Sequence, residues 1–309
     1  MKEAPRHLTV PTAQPGRRAI VLTALLGVAA FLPDSSQTRA ARATPADPPP
    51  VPSPAPLVPP SQPIPPVPSG QPDQGKPLLP SRTAVVKAFG GKTPAYWGLE
   101  APGALARLAP GTQGIAVTVD FCGGANGSEF DQGLIAVLRE RHVPATLFLN
   151  SRWIAANPAT ARQLAADPLF ELANHGTTHR PLSTTGKSAY GIPGTQDAGE
   201  VYDEVMGNDA AMTQLTGTRP RFLRSGTAFF DEVAIQIVSA LGVTPVAFSI
   251  NADGGATYPA ATVAREAAKA GPGDIIICHG NHPHGGTAQG MAQALDTLAA
   301  RGAPFIHLR

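Results

Sequence analysis

The sequence predicts an α/β domain on a parallel sheet, either open and doubly wound or closed into a barrel of the (β/α) kind. Three observations predict it. Seven short apolar runs alternate with six helical stretches from residue 115 onward. Several helical stretches stop at a glycine, Gly242 after "SAL" and Gly302 after "AAR", where a left-handed cap costs little. The apolar runs end on polar or titratable residues, which is where such folds present their ligands.

Taken in order, the expected strands are Ile115–Asp120, Ala145–Leu149, Phe170–Asn174, Phe222–Arg224, Pro245–Ser249, Asp274–His279 and Pro304–His307. Each is a short apolar or β-branched run bounded by turn residues. The expected helices are Asp131–Arg141, Pro158–Ala166, Glu200–Leu215, Asp231–Leu241, Ala260–Ala270 and Thr287–Arg301. Asp131 stands where an N-cap is needed. The strands terminate at Asp120, His175, Arg224, Asn251 with Asp253, and His279. Strand ends are often polar, but acid, base or guanidinium at five of seven ends points to one reactive rim.

The segment ahead of this domain reads differently. Arg17 and Arg18 precede an apolar run from Ala19 to Leu32, followed by the small-residue pattern Ala41-Arg42-Ala43. Residues 1–43 are therefore expected to be an export signal, twin-arginine or general secretory, placing the mature chain in the periplasm, cell wall or extracellular space. The run is shorter than the ~20 residues of a membrane-spanning helix, so no span is expected in the mature chain. Residues 44–82 read as a linker: 16 prolines fall between Pro45 and Pro80, favouring extended polyproline II that reaches on the order of 100 Å at ~3.1 Å per residue. The catalytic domain is expected at 83–309.

Charge excludes two classes of partner. The chain carries 24 Lys+Arg against 22 Asp+Glu, and residues 1–43 hold six and two of these, leaving 18 against 20. No basic patch suits nucleic acid and no polybasic run suits a lipid surface.

Five of the eight histidines fall in two clusters, His175/His179 and His279/His282/His284, and both follow strand ends. In "NHGTTHRPL" a helical turn would project both imidazoles from one side, and two neutral imidazoles so placed can grip one divalent cation.

The order "TVDFCGG", "HGTTH", "RFLRSG", "AFSINADGG" and "GDIIICHG", with "VPATLFL" after the first helix, resembles the polysaccharide deacetylases of the NodB-homology, carbohydrate esterase family 4-like group, from Ile115 to Leu308. The resemblance implies a distorted (β/α)7-type barrel holding a divalent metal, commonly zinc, and hydrolysis of N- or O-linked acetyl groups of a carbohydrate polymer. It implies Asp120 as general base, His175 and His179 as metal ligands, Arg224 as the partner fixing the base, and Asp253 as the group orienting His279, the general acid.

One departure matters. The family writes two consecutive aspartates at the first motif, and the second position here is Phe121. Phenylalanine binds no cation, while hydrolytic zinc takes three protein ligands and an open position. Asp120, Cys122, His282 and His284 are the alternatives for the third. The reading favours Asp120 as base beside a substituted or weakened third ligand. The two cysteines, Cys122 and Cys278, both abut motif residues. They form a disulfide, stay as free thiols, or ligate the metal. Trp97 and Trp153 read as packing residues, Trp153 alternatively as a sugar platform, and Asn126 as a polar turn. The rivals to a deacetylase are a catalytically silent sugar-binding barrel and a hydrolase of another non-peptide C–N bond.

Overall fold

In the strand Ile115–Phe121 every residue is buried, as expected for a sheet covered on both faces. Its side chains sort by parity. Ile115, Val117, Val119 and Phe121 enter the larger apolar cluster shared with the flanking helices. Ala116 joins a smaller cluster with Phe148, Ala173, Phe222, Val246 and Ile275, which fills the concave side of the sheet. Thr118 and Asp120 therefore point to that concave side as well.

The computed structural model describes residues 79–308, so the expected export signal and nearly all of the expected linker lie outside the described residues. The elements are α1 (Arg82–Phe89), β1 (Trp97–Gly98), β2 (Ile115–Phe121), α2 (Gln132–Glu140), β3 (Ala145–Leu149), α3 (Ser151–Ala156), α4 (Pro158–Ala165), β4 (Phe170–Asn174) and α5 (Ala198–Thr216). They continue with β5 (Phe222–Leu223), β6 (Phe230–Asp231), α6 (Glu232–Ala240), β7 (Thr244–Pro245), β8 (Ile250–Asn251), α7 (Ala260–Ala267), β9 (Ile275–His279), α8 (Thr287–Ala300) and β10 (Phe305–Ile306).

The main sheet runs β7-β5-β4-β3-β2-β9-β8, with β10 paired to the start of β2, and every pairing in it is parallel. It is a curled half-barrel of the (β/α)7 kind. The single strand expected at 245–249 is split. Its beginning pairs with β5 and its end with β9, so this one segment spans the gap between the two sides of the curl. Its middle is bridged by Leu105, which donates to the Pro245 carbonyl and accepts from the Ala247 N–H, so three different partners divide what the sequence presents as one ladder.

Side-chain caps set the helix starts. Asp131, Asp197 and Asp231 accept from the backbone N–H three residues on, at 2.9, 2.9 and 2.7 Å. Two helices escape the sequence reading. α1 buries only Val85, so its apolar periodicity is faint, and α3 is a six-residue turn capped by Asn150. Among the described residues no helix is long and apolar enough to cross a membrane.

Because the strands are parallel, their C-terminal ends share one rim. Register places Asp120 on β2 directly beside His279 on β9, while β4 and β5 deliver His175 and Arg224 immediately after their last residues.

Candidate active site

Arg224 is the hub of the rim. Its guanidinium, wholly buried, donates to Asp120 Oδ1 at 2.7 Å, Thr118 Oγ1 at 2.9 Å and the Ala247 carbonyl at 2.9 Å. It lies over the Phe148 ring, 4.3 Å from the centroid. Asp120 thus has one oxygen tied down and the other, Oδ2, directed towards His175 Nε2 at 3.7 Å.

The two histidines do not sit on a helical turn. Residues 175–179 form a loop, with Gly176 and His179 in the left-handed region at φ 77° and 63°. Buried polar groups hold it. Asn150 donates to the carbonyls of His175 and Gly176, and Glu204 accepts from Thr178 N, Thr178 Oγ1 and Arg180 N at 2.8, 2.6 and 3.2 Å. A side chain at Gly176 would meet Glu204 at 2.5 Å, so the turn is tailored to that carboxylate.

This loop turns both rings towards the site. His175 Nδ1 donates to the Arg224 carbonyl at 3.0 Å, which assigns its proton and turns Nε2 to the site. His179 Nε2 is buried without a hydrogen-bond partner among the described residues. Burial lowers the pKa of His175, and burial followed by the neighbouring His175 lowers that of His179 further, so both are neutral near pH 7. Neutral imidazoles whose ring nitrogens lie within 4.8 Å of each other are a donor set for a divalent cation.

Opposite them stands His279. Asp253, buried, accepts from His279 Nδ1 at 2.9 Å, from the His279 backbone N–H at 2.7 Å and from Thr287 Oγ1 at 3.0 Å. Burial alone would lower the His279 pKa, but the charge and hydrogen bond of Asp253 outweigh it and the value is raised. The His279 ring edge opens into a cleft of about 550 Å³ that Asp120, Cys122, His179, Tyr190 and Tyr258 also line.

The remaining expectations resolve differently. Phe121 packs into an aromatic cluster, 4.5 Å from the Trp153 ring, because its parity points it away from the rim. Trp153 is buried there with Nε1 donating to the Glu129 carbonyl, so it is no sugar platform. Cys122 and Cys278 are both free. Cys278 belongs to the outer cluster with Phe121, whereas Cys122 faces the cleft, so they lie on opposite faces of the sheet. His284 is 89% exposed, with Nε2 3.9 Å from Glu129, outside any ligand group. Among the described residues, the acidic, histidine or cysteine groups whose ligand atoms cluster are Cys122, His175 and His179, all within 4.8 Å of one another. Sequence reasoning missed Glu204, which lies mid-helix with no local signal.

Residues 108–246 match the polysaccharide deacetylase family model. Over these residues the chain is similar to the polysaccharide deacetylases. Asp120, His175, His179 and Arg224 lie inside the matched span, and Asp253 and His279 lie beyond it. The chain is 28% identical over 177 residues to the uncharacterized protein SCO4760 of Streptomyces coelicolor, covering 56% of this chain and 63% of that one. It is 26% identical over 154 residues to the chitooligosaccharide deacetylase of Bradyrhizobium sp. (strain ANU 289), covering 49% and 65%. The chain thus spans less than two thirds of either relative. Its fold is similar to that of wild-type BA3943 from Bacillus anthracis, a CE4 family pseudoenzyme, with a TM-score of 0.56 at 19% identity over 66% of this chain and 67% of that one.

Proposed function

We propose that this chain is an exported, metal-dependent hydrolase that removes acetyl groups, N- or O-linked, from an envelope or extracellular polysaccharide. The observation that carries the reading is the meeting, on one cleft, of a buried neutral histidine pair, a buried carboxylate and a histidine held by a second carboxylate.

A divalent cation at His175 and His179, zinc by its preference for imidazole, would supply Lewis acidity to an acyl carbonyl and to water. Asp120 Oδ2 takes the proton from the attacking water, its carboxylate held in orientation by Arg224. His279, whose pKa Asp253 raises, delivers a proton from Nε2 to the departing amine or alkoxide. Acid and base stand at in-register positions on neighbouring strands, so both project from the same face of the sheet. The cleft lining beyond these groups includes Tyr190, Ile192, Phe248 and Tyr258 together with Asn251, His282 and small residues, a mixture of aromatic faces and polar groups that suits sugar rings. Export rests on the sequence of residues 1–43.

The test is acetate release from acetylated chitin oligomers, peptidoglycan and acetylated xylan. Release from at least one, abolished by a chelator and restored by zinc, is expected. A null on all three favours the second reading, a silent carbohydrate binder, for which Phe121 in place of an aspartate is the specific observation.

A further inference from the structure

We propose that Cys122, as a thiolate, is the third protein ligand of the metal, giving a site of one cysteine and two histidines that selects zinc or cobalt over harder cations. The inference rests on His175 and His179 being a metal site. It concerns what completes that site once the family's acidic position has become Phe121.

Geometry carries it first. Cys122 Sγ lies 3.9 Å from His175 Nε2, and the ligand atoms of Cys122, His175 and His179 are all within 4.8 Å of one another. A tetrahedral zinc with bonds of about 2.3 Å to sulfur and 2.0–2.1 Å to nitrogen holds S and N about 3.6 Å apart, and two N atoms about 3.4 Å apart. Small rotations of the three side chains close the difference. His179 Nε2, buried and unpartnered among the described residues, needs a partner there independently of the cysteine.

The backbone explains why residue 122 succeeds where 121 cannot. Pleating turns Phe121 into the outer aromatic cluster. The chain leaves β2 at that point, and Gly123 and Gly124, at φ 69° and 80°, bend it back over the rim. A side chain on Gly123 would meet the Trp153 backbone nitrogen at 2.5 Å, so the bend is pressed against α3 and Cys122 is held at the cleft. Cys122 belongs to none of the apolar clusters, so packing does not account for it. A thiolate carries the same single negative charge as the missing carboxylate. It exchanges a hard oxygen for a soft sulfur, which favours zinc and cobalt and disfavours magnesium, manganese and calcium.

Cobalt(II) is the probe. The full chain, stripped and reloaded with one equivalent of cobalt, should show a near-ultraviolet sulfur-to-cobalt charge-transfer band that Cys278→Ser keeps and Cys122→Ser loses. Zinc affinity of Cys122→Ser, measured by equilibrium dialysis, should fall at least about 100-fold, a direct ligand being worth no less than an outer partner. A thiol reagent supplies a check that needs no variant: the stripped native chain should expose one reactive thiol, the zinc-loaded chain none. Cobalt bound without the band, or equal thiol reactivity with and without zinc, overturns the assignment of Cys122 and leaves the hydrolase reading standing if acetate is still released. Absence of any zinc or cobalt binding removes both.

Discussion

Replacing Arg224 with methionine would leave Asp120 buried without its cation, and the cost can be worked from the structure. The pair is 2.7 Å apart with side chains 0% and 3% exposed, so solvent screens it little. Two charges about 4 Å apart at an effective dielectric of ~20 attract by about 4 kcal/mol. Mutational experience with one partner of a buried pair removed gives about 3–5 kcal/mol. Arg224→Met is therefore expected to lower stability by that amount, and at roughly 2–4 °C per kcal/mol for a domain of this size the midpoint should drop by about 6–20 °C. Asp120→Asn should cost a similar amount by stranding the guanidinium. The double variant leaves no bare charge, so it should be more stable than the sum of the singles predicts, by about 3 kcal/mol at the upper end of measured couplings. Urea denaturation followed by circular dichroism on the metal-stripped chain measures all four corners of the cycle. Additivity within about 0.5 kcal/mol would refute the claim that this ion pair organises the rim.

Other outcomes follow from the same geometry. Asp253→Asn removes the charge that holds the His279 pKa up, leaving burial to pull it down; the acid form is then lost at lower pH, so the basic limb of the kcat profile should move to lower pH, and an unmoved limb would exclude His279 as the acid. The raised folded value also means that His279 contributes stability at pH below its unfolded value of about 6.5, lost as pH rises through the folded one; Asp253→Asn should flatten that slope in urea midpoints taken across neutral pH. Glu204→Ala deprives Thr178 and Arg180 of their charged acceptor, costing about 1.5–3 kcal/mol for the lost hydrogen bonds and weakening zinc binding about 10–100-fold in dialysis. Phe121→Asp, which restores the family's acidic residue on paper, should lose about 3–5 kcal/mol of aromatic packing and gain no zinc affinity, because residue 121 faces the outer cluster.

Much of this is legible without coordinates. Three of the strands and most helix limits follow from apolar runs bounded by glycine, proline and capping aspartates, since those residues act locally. Asp120, His175, Arg224 and His279 are readable because parallel strands force their C-terminal ends onto one rim. Other features depend on distant contacts. The outward aim of Phe121 follows from its parity with Ile115, Val117 and Val119, but which face carries the site emerges only once the sheet curls. The split of the segment 244–251 reflects partners on β5 and β9, and the return of Cys122 to the cleft depends on Gly123 lying against α3. Glu204 serves a loop that precedes its helix, and no local pattern marks it. Spacing alone suggests a helical turn at 175–179, but buried carboxamide and carboxylate acceptors offer its backbone a better set of partners.

The most direct test of the central claim is a zinc titration of the metal-stripped chain with acetate release followed on an acetylated oligosaccharide. Hydrolysis that rises with added zinc and levels off at one equivalent, and that His175→Ala does not recover, is the predicted result. A rate that ignores zinc, or a native chain that stays silent when fully loaded, would contradict it.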